Sequence, residues 1–198
     1  SVQSVETPVV AARCGYGFDI SSQYIEQARS LASKHHVEFY TTNVTALDSV
    51  FDSTCDIVFA TASALCWTPD LLAYFAVAHR VLGTRGTLIL YETHPFIEMF
   101  KTDVQRPANE KLVPCYSYNT CDPVAFMSEG GYFGDGDTGT TIYWDHHSLS
   151  RIVQSALDAE FTLRQVEEYQ IEEYQIEEYE HDVCVGYRQV EQFNVRTP

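Results

Sequence analysis

The stretch from Gly17 to Lys34 constrains the fold most, because it joins a short strand, an acidic residue and an amphipathic helix. Apolar residues flank Asp19 in a β-prone run, and the serines that follow can cap a helix, which we predict over 21–34. Ligands of open α/β sheets bind outside the carboxyl ends of the strands, where a carboxylate can accept hydrogen bonds from both hydroxyls of a ribose. Asp19 is therefore the first candidate functional residue, with a turn or capping aspartate as the alternative.

Strand-like and helix-like segments alternate after this stretch. We predict strands over 37–41, 55–60 and 87–92, and a helix that is capped by Thr68, begins at Pro69 and ends at Gly83. Such alternation favours a mainly parallel sheet with helices on both faces.

The second half of the chain is less regular. Within a single domain over 1–198 we expect an irregular insert or lid at about 93–141, punctuated by proline and glycine. After it we predict a strand over 140–144, a helix from Ser148 to about Ala159 and a strand over 161–166. A last strand over 183–190 is expected to pair antiparallel at the far end of the sheet.

A pentapeptide repeat over 166–180, in which Glu-Glu-Tyr recurs three times, matches neither the strand period nor the helix period. We interpret it as a strand end followed by an acidic loop or edge segment. A motif that binds a partner is the alternative.

The charge of the chain bears on its partners. Lys and Arg number 12 against 28 Asp and Glu, a formal net charge of −16, so the mean field repels nucleic acids and anionic membranes. We see neither a signal peptide nor a membrane-spanning run at the sequence level. Six scattered cysteines without metal-ligand spacing favour free thiols in the cytoplasm and predict no metal site, although a Cys115–Cys121 disulfide stays an alternative.

Several segments, taken in chain order, resemble motifs of one enzyme family. They are Phe18-Asp19-Ile20-Ser21, Asn43-Val44, Leu65 to Leu71, Arg80 to Thr87, Glu92 to Phe96 and Tyr143 to Leu149. In this order and spacing the chain resembles the class I S-adenosylmethionine-dependent methyltransferases, over Gly17 to about Val166.

The resemblance implies a Rossmann-like, doubly wound, mainly parallel sheet with an antiparallel last strand. It also implies that S-adenosylmethionine is the cofactor and that a methyl group is transferred to a small-molecule acceptor. On this basis we assign cofactor binding to seven residues: Gly15, Gly17, Asp19, Asn43, Val44, Ser63 and Trp67.

A catalytic base is optional in such a transfer. Glu92 and His94, at the end of a predicted central strand, and His147, after the insert, are the candidates, because a neutral imidazole can take a proton from the acceptor. A capping or surface role is the alternative for each histidine.

The chain departs from the family pattern at its beginning. Between the run over 8–13 and Asp19 there is no room for the helix that a parallel crossover needs. Either the first βα unit is missing or altered, or the segment before Gly15 forms an antiparallel strand or an arm swapped within a homodimer. A catalytically inactive binding or oligomerisation module is thus the main rival. A nicotinamide-dependent oxidoreductase ranks lower, because Ile20 stands where its third glycine belongs.

Overall fold

The computed structural model describes residues 14–32, 36–60, 64–100, 113–120, 122–127, 141–168 and 192–196. They belong to two compact units, one up to Ser49 and one from Val50 onwards. The strands are β1 (Gly15–Asp19), β2 (Val37–Thr41), β3 (Cys55–Ala60), β4 (Leu82–Tyr91), β5 (Val124–Met127), β6 (Thr141–Trp144), β7 (Thr162–Glu167) and β8 (Gln192–Arg196). The α-helices are α1 (Ser22–Leu31), α2 (Leu71–Val81) and α3 (Leu149–Asp158).

The first unit is a βαβ motif. β1 and β2 are parallel, with Gly15 opposite Val37 and Asp19 opposite Thr41, and α1 connects them. The Ser21 side chain caps α1 by accepting a hydrogen bond from the backbone N–H of Tyr24, as the sequence predicts. Both strands therefore end at the same edge of their sheet.

The second unit contains a four-stranded sheet in the order β3-β4-β8-β7. β3 and β4 are parallel and joined through α2, whereas β8 is antiparallel to both of its neighbours. The partly parallel α/β fold with an antiparallel last strand is confirmed. β8 lies between β4 and β7, whereas the strand predicted over 183–190 at the far end of the sheet lies outside the described residues.

Apolar side chains of α2, β4 and α3 form the core of the second unit. Phe75 and Leu88 are fully buried, and Ile152 of α3 packs into the same cluster. Phe75 and Phe161 meet edge to face with ring centroids 6.3 Å apart. This core fixes the ends of β3 and β4, where the candidate residues of this unit lie.

Two predicted boundaries near α2 are wrong. Asp70, not Thr68, caps the helix, since its side chain accepts from the N–H of Ala73, so α2 begins at Leu71. β4 begins at Leu82 and not at 87, because the residues between Leu82 and Thr87 form a bulge in the strand, with a positive φ of 71° at Arg85.

The region of the predicted insert contains a strand, β5, that the sequence does not reveal, and β6 confirms the strand predicted over 140–144. β5 and β6 form an antiparallel hairpin, and Tyr118 binds the start of α3, its hydroxyl accepting from the N–H of Leu149 at 3.2 Å. The run over 8–13 lies outside the described residues, as do the predicted strand over 183–190 and most of the repeat over 166–180, because the structure describes neither 1–13 nor 169–191. Within the described part of the chain, no helix is long and apolar enough to cross a membrane.

Candidate functional site

Asp19 lies at the carboxyl end of β1, where its carboxylate closes a turn. Its Oδ1 atom accepts a hydrogen bond from the backbone N–H of Ser21 at 2.7 Å, and the residue is half-buried. The other carboxylate oxygen makes no hydrogen bond with any residue that the structure describes. Asp19 therefore has the turn role that was given as its alternative, and this role leaves its second carboxylate oxygen available to a ligand.

Asn43 lies beside Asp19 at this edge of the sheet. The backbone N–H of Thr42 donates to the Asp19 carbonyl oxygen at 2.8 Å, so the chain leaves β2 next to the end of β1. The Asn43 side-chain oxygen accepts from the N–H and the hydroxyl of Thr45, both at 2.9 Å, and caps the 3-10 helix Val44–Ala46. Its amide NH₂ group donates to none of the described residues. One carboxylate oxygen and one amide donor thus stand at a single strand edge, a set that fits a nucleoside.

Gly15 and Gly17 lie inside β1, not in a loop before it. A Cβ atom at Gly17 would overlap the ring of Phe39 on β2, and one at Gly15 would lie 3.3 Å from Val37. Packing within the sheet therefore explains the glycine at 17, and the assignment of both glycines to the cofactor stays a prediction.

In the second unit, the turn after β3 forms the 3-10 helix Leu65–Trp67. Two hydrogen bonds hold this turn in place. The buried Glu92, directly after β4, accepts a hydrogen bond from the N–H of Leu65 at 3.0 Å. The backbone N–H of Asp145 donates to the carbonyl oxygen of Cys66 at 2.9 Å. Glu92 therefore has a structural role at this turn.

His147 contacts the same turn through one ring nitrogen. Its Nε2 atom lies 2.9 Å from the carbonyl oxygen of Thr68, which can only accept, so Nε2 carries the proton. The other ring nitrogen, Nδ1, is buried and makes no hydrogen bond with any described residue. Burial lowers the pKa of His147 in spite of the Thr68 contact, which raises it. The side chain is thus a neutral imidazole with an unused lone pair.

A narrow cleft of about 10 Å³ adjoins this turn, with room for about one water molecule. Its lining includes Cys66, Glu92, Glu98, Asp145 and His147. Burial raises the pKa of the Cys66 thiol, and the charges of the three carboxylates raise it further. Cys66 is therefore a protonated, unreactive thiol, and the imidazole is the better base in this cleft.

His94 has both ring nitrogens engaged. Nδ1 accepts from the backbone N–H of Phe96 at 3.1 Å, and Nε2 lies 2.9 Å from a carboxylate oxygen of Glu168. This arrangement matches the alternative capping role and leaves no lone pair for catalysis, so His147 is the stronger candidate for the base.

Trp67 is 53% exposed, and its ring lies 6.0 Å from that of Trp144, centroid to centroid. The exposed ring face is free to wall a ligand site within this unit. Ser63 lies outside the described residues.

Sequence reasoning missed Glu98 and Asp145. Both occur singly and without a motif, and only the folding of β4 and β6 toward the Leu65–Trp67 turn brings them to one cleft. The predicted free thiols are found at the described cysteines, Cys14, Cys55, Cys66 and Cys115.

A family model described as "Methyltransferase domain" matches residues 6–90. No curated protein matches the chain. The matched range contains the βαβ motif of the first unit and the β3-α2-β4 motif of the second almost to its end.

Solved structures share the fold at low sequence identity. A putative S-adenosylmethionine-dependent methyltransferase from Listeria monocytogenes is 14% identical with a TM-score of 0.61, over 94% of this chain and 81% of its own. An S-adenosylmethionine-dependent methyltransferase from Methanosarcina mazei is 16% identical with a TM-score of 0.56, over 92% and 81%. A protein from Pyrococcus horikoshii is 19% identical with a TM-score of 0.61, over 93% and 72%. The chain therefore has a methyltransferase-like α/β fold, and residues 6–90 are similar to the methyltransferase family model, in agreement with the resemblance of its sequence motifs.

Proposed function

We propose that the protein transfers a methyl group from S-adenosylmethionine to a small-molecule acceptor. The observation that carries this proposal is the edge of the first unit, where Asp19 keeps one carboxylate oxygen and Asn43 keeps its amide donors, inside a range that matches a methyltransferase model.

The cofactor, when bound, supplies a methyl group on a positively charged sulfur. Asp19 accepts hydrogen bonds from the ribose hydroxyls with its second oxygen while Oδ1 stays with Ser21. Asn43 donates its amide hydrogens to the adenine of the cofactor, while its side-chain oxygen stays hydrogen-bonded to Thr45. The hydrogen bonds within the turns use different atoms of Asp19 and Asn43 from those that bind the ligand. The strand edge is therefore organised before the ligand arrives, which lowers the entropic cost of binding.

On the acceptor side, His147 is the base. Its Nε2–H is held by the Thr68 carbonyl oxygen, so the lone pair on Nδ1 is fixed in position and burial keeps the ring neutral near pH 7. Glu92 orients the turn through Leu65 and acts as a positioning residue.

A small molecule fits the cleft better than a macromolecule does. The cleft has room for about one water molecule, which suits a single functional group. The net charge of −16 repels nucleic acids. We also propose a cytoplasmic location, which the free thiols of the described cysteines support, and a homodimer.

The test is transfer of a deuterated methyl group from labelled S-adenosylmethionine to a mixture of small acceptors with oxygen, nitrogen, sulfur and carbon nucleophiles. We expect a labelled product by mass spectrometry with the wild-type chain. Asp19→Asn should lose most of the product, whereas Asp48→Asn, at an exposed site in the same unit, should not. Binding without turnover on any acceptor class would instead support the inactive binding module.

A further inference from the structure

The turn that carries Trp67 is fixed on both sides of that residue. The backbone N–H of Asp145 donates to the carbonyl oxygen of Cys66 at 2.9 Å. The Nε2 atom of His147 donates to the carbonyl oxygen of Thr68, also at 2.9 Å. Trp67 stands between these two attachment points, and all five residues belong to the second unit. The backbone that presents the Trp67 ring is therefore held in place without any contribution from the first unit.

The Trp67 ring offers a flat apolar surface at this turn. The residue is 53% exposed, although its ring lies 6.0 Å from that of Trp144, with an angle of 37° between the planes. Aromatic rings pair preferentially with other planar rings, stacked or edge to face, because their faces and edges carry opposite partial charges. A ring that is already held also loses little conformational freedom when a ligand binds. The surface thus favours a planar aromatic group.

A buried hydrogen-bond acceptor lies at the same turn. His147 is 4% exposed, and its Nδ1 atom makes no hydrogen bond with any described residue. Nε2 carries the proton, so Nδ1 can only accept, and the carbonyl oxygens of Thr68 and Leu65 that act on this ring cannot donate to it. The cleft that His147 lines has room for about one water molecule, hence for one hydroxyl group. A hydroxyl donor there would recover the free energy that an unpaired buried acceptor costs.

We propose that the second unit binds a phenol, with the aromatic ring on the exposed face of Trp67 and the hydroxyl group in the cleft, where it donates to Nδ1 of His147. An aryl ether would supply the ring without the donor, and an aliphatic alcohol the donor without the planar ring. The inference goes beyond the proposed function, because it concerns binding within one unit and includes no transfer step. It gives Trp67 a ligand other than the cofactor that the family resemblance implies.

Three small probes test the two halves of this proposal on the 198-residue chain near neutral pH. Phenol has the ring and the donor, anisole has only the ring, and cyclohexanol has only the donor. By calorimetry, phenol should bind at least about tenfold more tightly than anisole, which leaves Nδ1 unpaired. It should bind about threefold or more tightly than cyclohexanol, which cannot stack.

Tryptophan fluorescence shows where phenol binds, because Trp67 and Trp144 are the two tryptophans of the chain. Phenol should change this emission with the affinity that calorimetry gives. Trp67→Leu keeps an apolar side chain, and it should weaken phenol binding about tenfold and abolish the preference over cyclohexanol. Tyr143→Leu is the matched control, since Tyr143 is 61% exposed and points to the opposite face of β6 from Trp144. Its phenol affinity should stay within about twofold of wild type, and thermal melts verify that both variants are folded.

Nitrogen NMR of the chain with labelled histidines locates the hydroxyl group. A hydrogen bond to an unprotonated imidazole nitrogen shifts its signal, so phenol should move the Nδ1 signal of His147 and anisole should not. The signal that His147→Gln lacks identifies this residue among the histidines.

Equal affinities for phenol and anisole, no binding of phenol, or a wild-type phenol affinity in Trp67→Leu would each overturn the inference. A His147 Nδ1 signal that does not move at saturating phenol would overturn it as well. S-adenosylhomocysteine, added to the phenol complex, keeps the two proposals apart. If it displaces phenol, Trp67 belongs to the cofactor site, and the inference is lost while the proposed function is supported. If phenol binds as expected and S-adenosylhomocysteine does not bind, the inference stands and the proposed function is lost.

Discussion

The Nε2 atom of His147 lies 2.9 Å from the carbonyl oxygen of Thr68, 79 residues earlier in the chain, and both residues are buried. This contact ties the segment before α3 to the turn after β3. It also fixes the tautomer of the imidazole, because the carbonyl oxygen requires the proton on Nε2. One hydrogen bond thus determines both a long-range contact of the fold and the chemical state of the candidate base.

Replacement of His147 should separate these two roles. His147→Ala removes the donor from the buried Thr68 carbonyl oxygen and should lower the free energy of unfolding by about 1–3 kcal/mol. His147→Gln can place an N–H near the position of Nε2, so it should recover most of that loss while methyl transfer stays low. Urea titrations and product formation measure the two effects. Wild-type stability of the alanine variant would contradict the structural role, and full turnover of the glutamine variant would contradict the role as base.

The stability of the chain should depend on pH through two histidines. Burial lowers the pKa of both His146 and His147 in the folded state. The unfolded chain takes up these protons from about pH 6.5 downward, whereas the folded chain takes them up only at lower pH. Between the two values the unfolded state binds more protons, so the free energy of unfolding falls as the pH decreases from about 6.5.

The midpoints of urea unfolding, measured between pH 7.5 and 5, test this dependence. This pH range lies above the one in which most carboxylates titrate. The wild-type midpoint should be flat above about pH 7 and decrease below about 6.5. His147→Gln should show a smaller decrease, because one of the two titrating groups is gone. A midpoint that rises with acidity in the wild type, or an unchanged slope in the variant, would count against the assignment.

Gly17 should resist substitution for a reason of packing. In Gly17→Ala the new Cβ overlaps the Phe39 ring, and overpacking of this kind costs about 1–3 kcal/mol. Phe39→Leu in the same chain should recover part of the loss. Gly83→Ala is the matched control, since its Cβ would come no closer than 3.6 Å to the carbonyl oxygen of Ser53. Hydrogen exchange of the β1 and β2 amides measures the effect, and equal protection in both alanine variants would refute this explanation.

The regular elements that the sequence predicts best are those with strong local signals. The bounds of β2 and β3 match the prediction, because each is a short β-prone run bounded by polar or small residues. Ser21, one of the two serines predicted to cap α1, does so, and Ser148, predicted as the start of α3, is its cap, since a serine before an apolar helical pattern satisfies the first free N–H groups.

The errors arise where contacts distant in sequence decide the structure. Glycine disfavours strands, yet Gly15 and Gly17 lie within β1, because the Phe39 ring needs the space that Gly17 leaves. The position of β8 between β4 and β7 depends on pairings that no local pattern encodes.

The candidate site was predictable in part. Asp19 and Asn43 follow strands that pair in parallel, so their position at one edge could be predicted from the alternation of elements. The distinction between His94 and His147 could not be predicted from the sequence. Phe96 and Glu168 contact both ring nitrogens of His94, whereas Thr68 contacts only Nε2 of His147. The acidic cleft likewise exists only after β4 and β6 bring their ends to the Leu65–Trp67 turn.

Binding of S-adenosylhomocysteine tests the central claim most directly. Calorimetric titration of the 198-residue chain should give a saturable signal, and Asp19→Asn should weaken binding about tenfold or more, because it removes a charged acceptor while keeping Oδ1 for Ser21. Asp48→Asn should bind as the wild type does. No heat at millimolar ligand, or equal affinity of wild type and Asp19→Asn, would contradict a cofactor site at the edge of β1 and β2.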